Sequence, residues 1–227
     1  MYKVCLTVCS VLFSFGAMAQ TSNFITPSPL GEGASIHIAV STLDDEADGD
    51  AFFAEAERTQ KRGQLNEALT LYGKAAFEYN IKGQYLLYGT ALLKLSNVHL
   101  LLNHYNEAAQ VILNVALKNY SRIGHRSGQM ESYHQLGKVY YASNKLTESL
   151  WFYTQQGILA RQLHNNTAYI DSMMGIIHVK IKRKEYNLAL KDVSRAEVFA
   201  RANKVNHYNT QLKNTRKLLK EKVNAKK

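Results

Sequence analysis

The sequence is poor in anything that would restrain the backbone covalently. Its 227 residues include two cysteines, Cys5 and Cys9, and two prolines, Pro27 and Pro29. From Leu30 to Lys227 no pyrrolidine ring interrupts a helical hydrogen-bond ladder, and that absence favours long helices. Motifs of chemistry are missing as well. There is no glycine loop to cradle a phosphate, no His-Glu-x-x-His helix and no Gly-x-Ser-x-Gly elbow. The eight histidines, His37, His99, His104, His125, His134, His164, His178 and His207, include no pair at i, i+4, so a histidine metal site lacks local support. No enzyme activity, metal or cofactor is expected.

What is present begins with Lys3, followed by an apolar run from Val4 to Ala17 and the small-x-small pattern Ala17-Met18-Ala19. This reads as a signal peptide, residues 1–19, cleaved near Ala19, because spanning a bilayer needs roughly 20 apolar residues and this run stops sooner. The protein is therefore expected to be exported, periplasmic or secreted. Both cysteines would leave with the signal, so the retained chain would form no disulfide and stability would rest on packing alone.

Residues 20–48 hold both prolines and end in the acidic cluster Asp44-Asp45-Glu46-Ala47-Asp48. They read as a flexible linker. The stretch Ser35-Ile36-His37-Ile38-Ala39-Val40 alternates like a strand, yet a lone strand leaves its backbone unpaired. The acidic cluster sits where the first helix should begin, near the positive end of that helix dipole, and is expected to cap it.

Beyond residue 48 the chain repeats itself. Leu65-Asn66-Glu67-Ala68-Leu69, Tyr105-Asn106-Glu107-Ala108-Ala109, Leu146-Thr147-Glu148-Ser149-Leu150 and Tyr186-Asn187-Leu188-Ala189-Leu190 align. The small residue recurs at 68, 108, 149 and 189, intervals of 40, 41 and 40. The first residue of each segment should close a turn, and Asn or Thr at the second should cap a helix. Glutamate at the third suits the positive helix end. A small fourth residue lets two helices approach closely. Tyr72, Ile112, Tyr153 and Val193 follow one helical turn later and should share the buried face.

These residues resemble the tetratricopeptide repeat family, most clearly in the third unit, where Tyr133, Leu136, Gly137, Tyr140, Ser149 and Tyr153 fall at the family's spacing. The resemblance implies an all-α, right-handed superhelical solenoid of four helix pairs over residues 49–203. Two features depart from the family pattern. The period is near 40 rather than about 34, so each unit should carry roughly one and a half extra turns at 3.6 residues per turn. The proline between units is absent, with Gly83, Gly124, Gly128 and Asn165-Asn166 near the boundaries instead. Ile177 stands where the family prefers a small residue, implying wider packing in the fourth unit. A capping helix with a basic tail, residues 204–227, should close the stack through Val205, Tyr208, Leu212, Leu219 and Val223, with Lys213, Arg216, Lys217, Lys220 and Lys222 as its polar outer face.

The resemblance also implies that the first helix of each unit lines a concave face. Carried across residue by residue, its groove positions are Leu93, Asn97 and Leu101 in the second unit. In the third they are His134, Lys138 and Tyr141, and in the fourth Met174, His178 and Lys182. Such a groove would be mixed and basic, suited to a protein or peptide partner, with a solvated polar face as the plain alternative. The expected role is a non-catalytic scaffold. A second reading is a sensory or regulatory module acting in trans on a membrane signalling protein. The basic tail suggests nucleic acid by charge alone, but export and the lack of interleaved aromatics argue against it, leaving an anionic envelope or membrane surface as a possible contact.

Overall fold

The computed structural model describes residues 48–225. The signal peptide and nearly all of the linker, including the alternating stretch at 35–40, lie outside the described residues. Among those described there is no strand. The helices are α1 (Gly49–Lys61), α2 (Leu65–Ile81), α3 (Tyr85–Leu101), α4 (105–122), α5 (Arg126–Ala142), α6 (Leu146–Gln162), α7 (Asn166–Lys182), α8 (Tyr186–Ala202) and, after a 3₁₀ turn at Asn206–Tyr208, α9 (Asn209–Asn224). Each helix packs on the next, and substantial contacts reach no further than two helices along the chain. This is the contact pattern of a solenoid.

The regularity comes from the turns. At each of eight junctions one residue adopts a left-handed conformation: Gly63, Gly83, Asn103, Gly124, Asn144, His164, Lys184 and Lys204, with φ between 53° and 78°. At the first, the Gln64 amide donates to the Thr59 carbonyl at 3.0 Å and the Gly63 amide to the Gln60 carbonyl at 3.0 Å. The same pair of bonds recurs at the other seven junctions. This double closure satisfies the last carbonyls of each helix and fixes a three-residue turn. Glycine fills three of the eight positions, so no proline or invariant glycine marks the boundary in the sequence. Gly128 is no boundary residue. It lies in the first turn of α5, where an added Cβ would come 2.3 Å from the Tyr120 ring.

Helix starts at 65, 85, 105, 126, 146, 166 and 186 are 20 residues apart with a single interval of 21. The odd interval belongs to α4, whose centre, Val111–Ala116, winds as a π-helix between two α-helical segments. One extra residue is thus absorbed inside a helix, as a π-bulge does. It accounts for the 41-residue spacing seen in the sequence. Within the π-helical segment Ile112 and Ala116 have no exposed surface, while Asn114 between them is exposed.

The column of small residues behaves as its chemistry dictates. Ala68, Ala108, Ser149 and Ala189 are fully buried, and Tyr72, Ile112, Tyr153 and Val193 are buried one turn on. Ser149 Oγ donates to the Gly137 carbonyl at 2.8 Å, as Ser96 Oγ does to the Ala108 carbonyl at 2.8 Å. These bonds satisfy both hydroxyls in the apolar contact. Ile177 is buried at the position of Gly137, and α7 lies less closely against α8 than α5 does against α6.

Two expectations need correction. Asn66, Asn106, Thr147 and Asn187 are not N-caps. Their helices begin one residue earlier, and the residues before them, Gln64, His104, Lys145 and Glu185, make no side-chain cap. The side-chain caps belong to α1, α5 and α7: Asp48 accepts from the Asp50 amide, His125 from Gly128 and Asn165 from Ala168. Arg216, assigned to the solvated face of the capping helix, instead binds Glu197 on α8 with Nε at 2.8 Å and reaches Ser194. It fastens the cap that Leu212 and Leu219 bury.

Candidate partner-binding face

The first helices of successive units touch one another, α3 against α5 and α5 against α7, and no comparable contact joins the second helices α6 and α8. The first helices therefore form the inner wall. In the 40-residue register its central column is Glu57, Asn97, Lys138 and His178, and all of these retain exposed surface.

Between α3 and α5 the wall opens into a hollow of about 310 Å³. Leu93, Asn97 and Lys138, three of the expected groove residues, line it together with Thr90, Glu131 and Gln135. Gln135 Nε2 donates to Asn97 Oδ1 at 3.4 Å, so two amides bridge the helices and keep polar edges turned outward. A second hollow between α1 and α3 takes in Leu101, half exposed, beside Glu57, Gln60 and Lys61. Further along, Lys182 Nζ donates to the Tyr141 carbonyl at 2.9 Å and lies 4.6 Å from the centre of the Tyr141 ring. His134 is half-buried and its Nδ1 meets Gln156 Oε1 on α6 at 3.1 Å.

Met174 does not join this wall. It is buried with Ile170 and Ile177 in the core against α8 and α9, because in α7 its position turns toward the second helix. His178, one turn later, is open to solvent. The protein around its ring still displaces enough water to hold the imidazole below its ordinary pKa.

Nor is the wall simply basic. Lys94 is paired with Glu57 at 2.6 Å, and this hydrogen bond holds the Glu57 carboxyl below its usual range. Glu131 adds a further negative charge at the rim of the hollow. Among the described residues of the wall, Lys61, Lys138 and Lys182 form no ion pair with a carboxylate, and Lys182 rests on Tyr141. Glu57, Lys61 and Lys94 were missed in the sequence. The signal that could have found them is the repeat register itself, since Glu57 stands 40 residues before Asn97.

Helices paired by left-handed turns, stacked in one direction and presenting a polar inner wall define the class: an all-α helix-pair solenoid of tetratricopeptide-like repeats. No protein-family model matches the sequence, and no curated protein does. Solved structures do. RapI in its apo form matches with a TM-score of 0.66 and 12% identity over 76% of this chain and 63% of that one. BtubC (BKLC) from P. vanneervenii matches at 0.61 and 17%, over 70% of this chain and 65% of that one. A Podosopora anserina putative kinesin light chain with nearly identical TPR-like repeats matches at 0.58 and 13%, over 78% and 93%. The chain spans less than two thirds of the length of RapI and of BtubC. These likenesses establish the fold.

Proposed function

We propose that the protein is a non-catalytic, exported scaffold that holds a protein or peptide partner against its inner wall. The observation that carries this reading is the polar column Asn97, Lys138 and His178 set beside the open hollow of α3 and α5. Apolar Leu93 at its base offers burial, and Lys138 offers charge that selects register in an extended acidic segment. The side chains of α9 that stay exposed, Lys213, Lys217, Lys220 and Lys222, suit contact with an anionic envelope surface.

The test is capture of partners from an envelope extract by Lys138→Glu and His178→Glu variants, beside an outer-face control, Lys118→Glu. The expected result is a loss of roughly tenfold or more in the groove variants, about the worth of one charge-assisted contact, with unchanged unfolding midpoints and a control that captures normally. Equal capture by all three would refute the groove.

A further inference from the structure

A further cavity is lined by residues other than those of the inner wall. Between units three and four, α6, α7 and α8 line a half-open cavity of about 350 Å³, at the lower end of the range of small-ligand sites, roughly 300–1,000 Å³. Leu150 and Thr154 of α6 form one side, and Tyr169, Met173 and Ile176 of α7 form the floor. The polar end holds Lys180, Asp192 and Arg195.

The repeat supplies its own control. Helices α7 and α8 start 40 residues after α5 and α6, so Met173, Lys180 and Asp192 occupy the positions of Tyr133, Tyr140 and Phe152. In the earlier unit those positions are filled by aromatic rings. Tyr140 and Phe152 stack in parallel with centres 5.2 Å apart, Tyr133 lies 6.3 Å from Phe152, and Phe152 packs into the core with Ile112 and Leu136. In the later unit an ion pair replaces the stack. Lys180 Nζ sits 2.5 Å from Asp192 Oδ2, with both side chains largely buried. A packed aromatic pair would serve stability at least as well as an ion pair at the same depth, so the exchange opens space and places charge in it without structural need.

The charge has a sign. Lys180 and Arg195 converge on a single carboxylate, Asp192, and Arg195 is only loosely held, at 3.5 Å, with most of its side chain in solvent. One guanidinium is thus available at the mouth of an apolar cavity. We infer that this cavity binds a small amphiphilic anion, a carboxylate with a short aliphatic or aromatic body, the apolar part seated on Leu150, Met173 and Ile176 and the carboxylate on Arg195. Guanidinium and carboxylate match in geometry and form charge-assisted bonds. This site is separate from the inner wall and stands whether or not the wall binds a protein.

Octanoate is the probe, with octanol and octylammonium at equal chain length, measured by titration calorimetry on the full chain. Octanoate should bind at least roughly tenfold more tightly than either control, the scale of one charge-assisted contact. Arg195→Glu, an exposed substitution that leaves the fold intact, should reverse the preference toward octylammonium. The double variant Lys180→Tyr, Asp192→Phe, which rebuilds the aromatic filling of the preceding unit, should lose octanoate while keeping its helical circular dichroism. Equal binding of all three probes, no octanoate binding at millimolar concentration, or octanoate binding unaltered in Arg195→Glu would each overturn the assignment.

Discussion

At the scale of single residues, the stack is held by tyrosines pressed onto glycines. The Tyr153 ring lies between Gly137 and Gly175, where an added Cβ would stand 2.7 Å and 2.5 Å away, and Tyr120 lies likewise between Gly89 and Gly128. In an exposed helix, alanine in place of glycine stabilises by about 1 kcal/mol. Here the sign should reverse: Gly175→Ala is expected to cost about 1–3 kcal/mol through overpacking, read from denaturant midpoints. His99 gives a second expectation. Its ring is half-buried, its Nδ1 is buried without a hydrogen-bond partner, and burial, with His104 beside it and Glu107 opposing, lowers its pKa from the ordinary 6.5. The unfolded chain then binds more protons than the folded one as pH falls below that value. Stability should be intact above it and decline on acidification. Thermal midpoints should drop between about pH 7.5 and about pH 5.5, and His99→Tyr, matching Tyr140 of the next unit, should flatten the decline. An equal decline in the variant would move the cause elsewhere, with His178, lowered in the same direction, the first to test.

Among the helices, what the sequence made legible and what it hid have the same source. The columns at Ala68 and Tyr72 were legible because core positions tolerate few side chains, so the period survives in the letters. The turns were not, because a left-handed residue closed by two backbone bonds can be lysine or histidine as well as glycine, as Lys184 and His164 show. The N-caps were misplaced by two residues for the same reason: α2, α4, α6 and α8 start on backbone geometry rather than on a capping side chain. The π-helical segment left one trace, the interval of 41, without saying where the extra residue sat. Deleting Asn114 should convert α4 to the 17-residue length of α2 and α6. Ile112 and the alanine now at 116 would then fall in register with Tyr72 and Ala75. Folding and stability should be retained within about 1 kcal/mol, the range of surface changes. A cooperative unfolding transition lost on deletion would mean that the bulge itself sustains the packing of α4 on α5.

Across the molecule, each helix pair covers only one side of its neighbours, so the outer wall and the inner wall are separate surfaces with separate chemistry. The groove was partly legible. Positions taken from the family pattern fell on the wall for Asn97, Lys138 and His178, whereas Met174 is buried, in the column where Leu93 packs against the core and His134 meets Gln156 of the second helix. The pairing of Glu57 with Lys94 was not legible, since Glu57 belongs to the first unit, whose register had not been carried across. The most direct measurement is site-resolved photo-crosslinking in envelope extract, with the reactive residue placed in turn at Asn97 and Lys138 on the inner wall and at Phe77, Lys118 and Ile158, which are exposed on the second helices. One and the same partner trapped from the inner positions and not from the outer ones is the expected result. Trapping confined to the outer positions would show that the concave wall is only solvated surface.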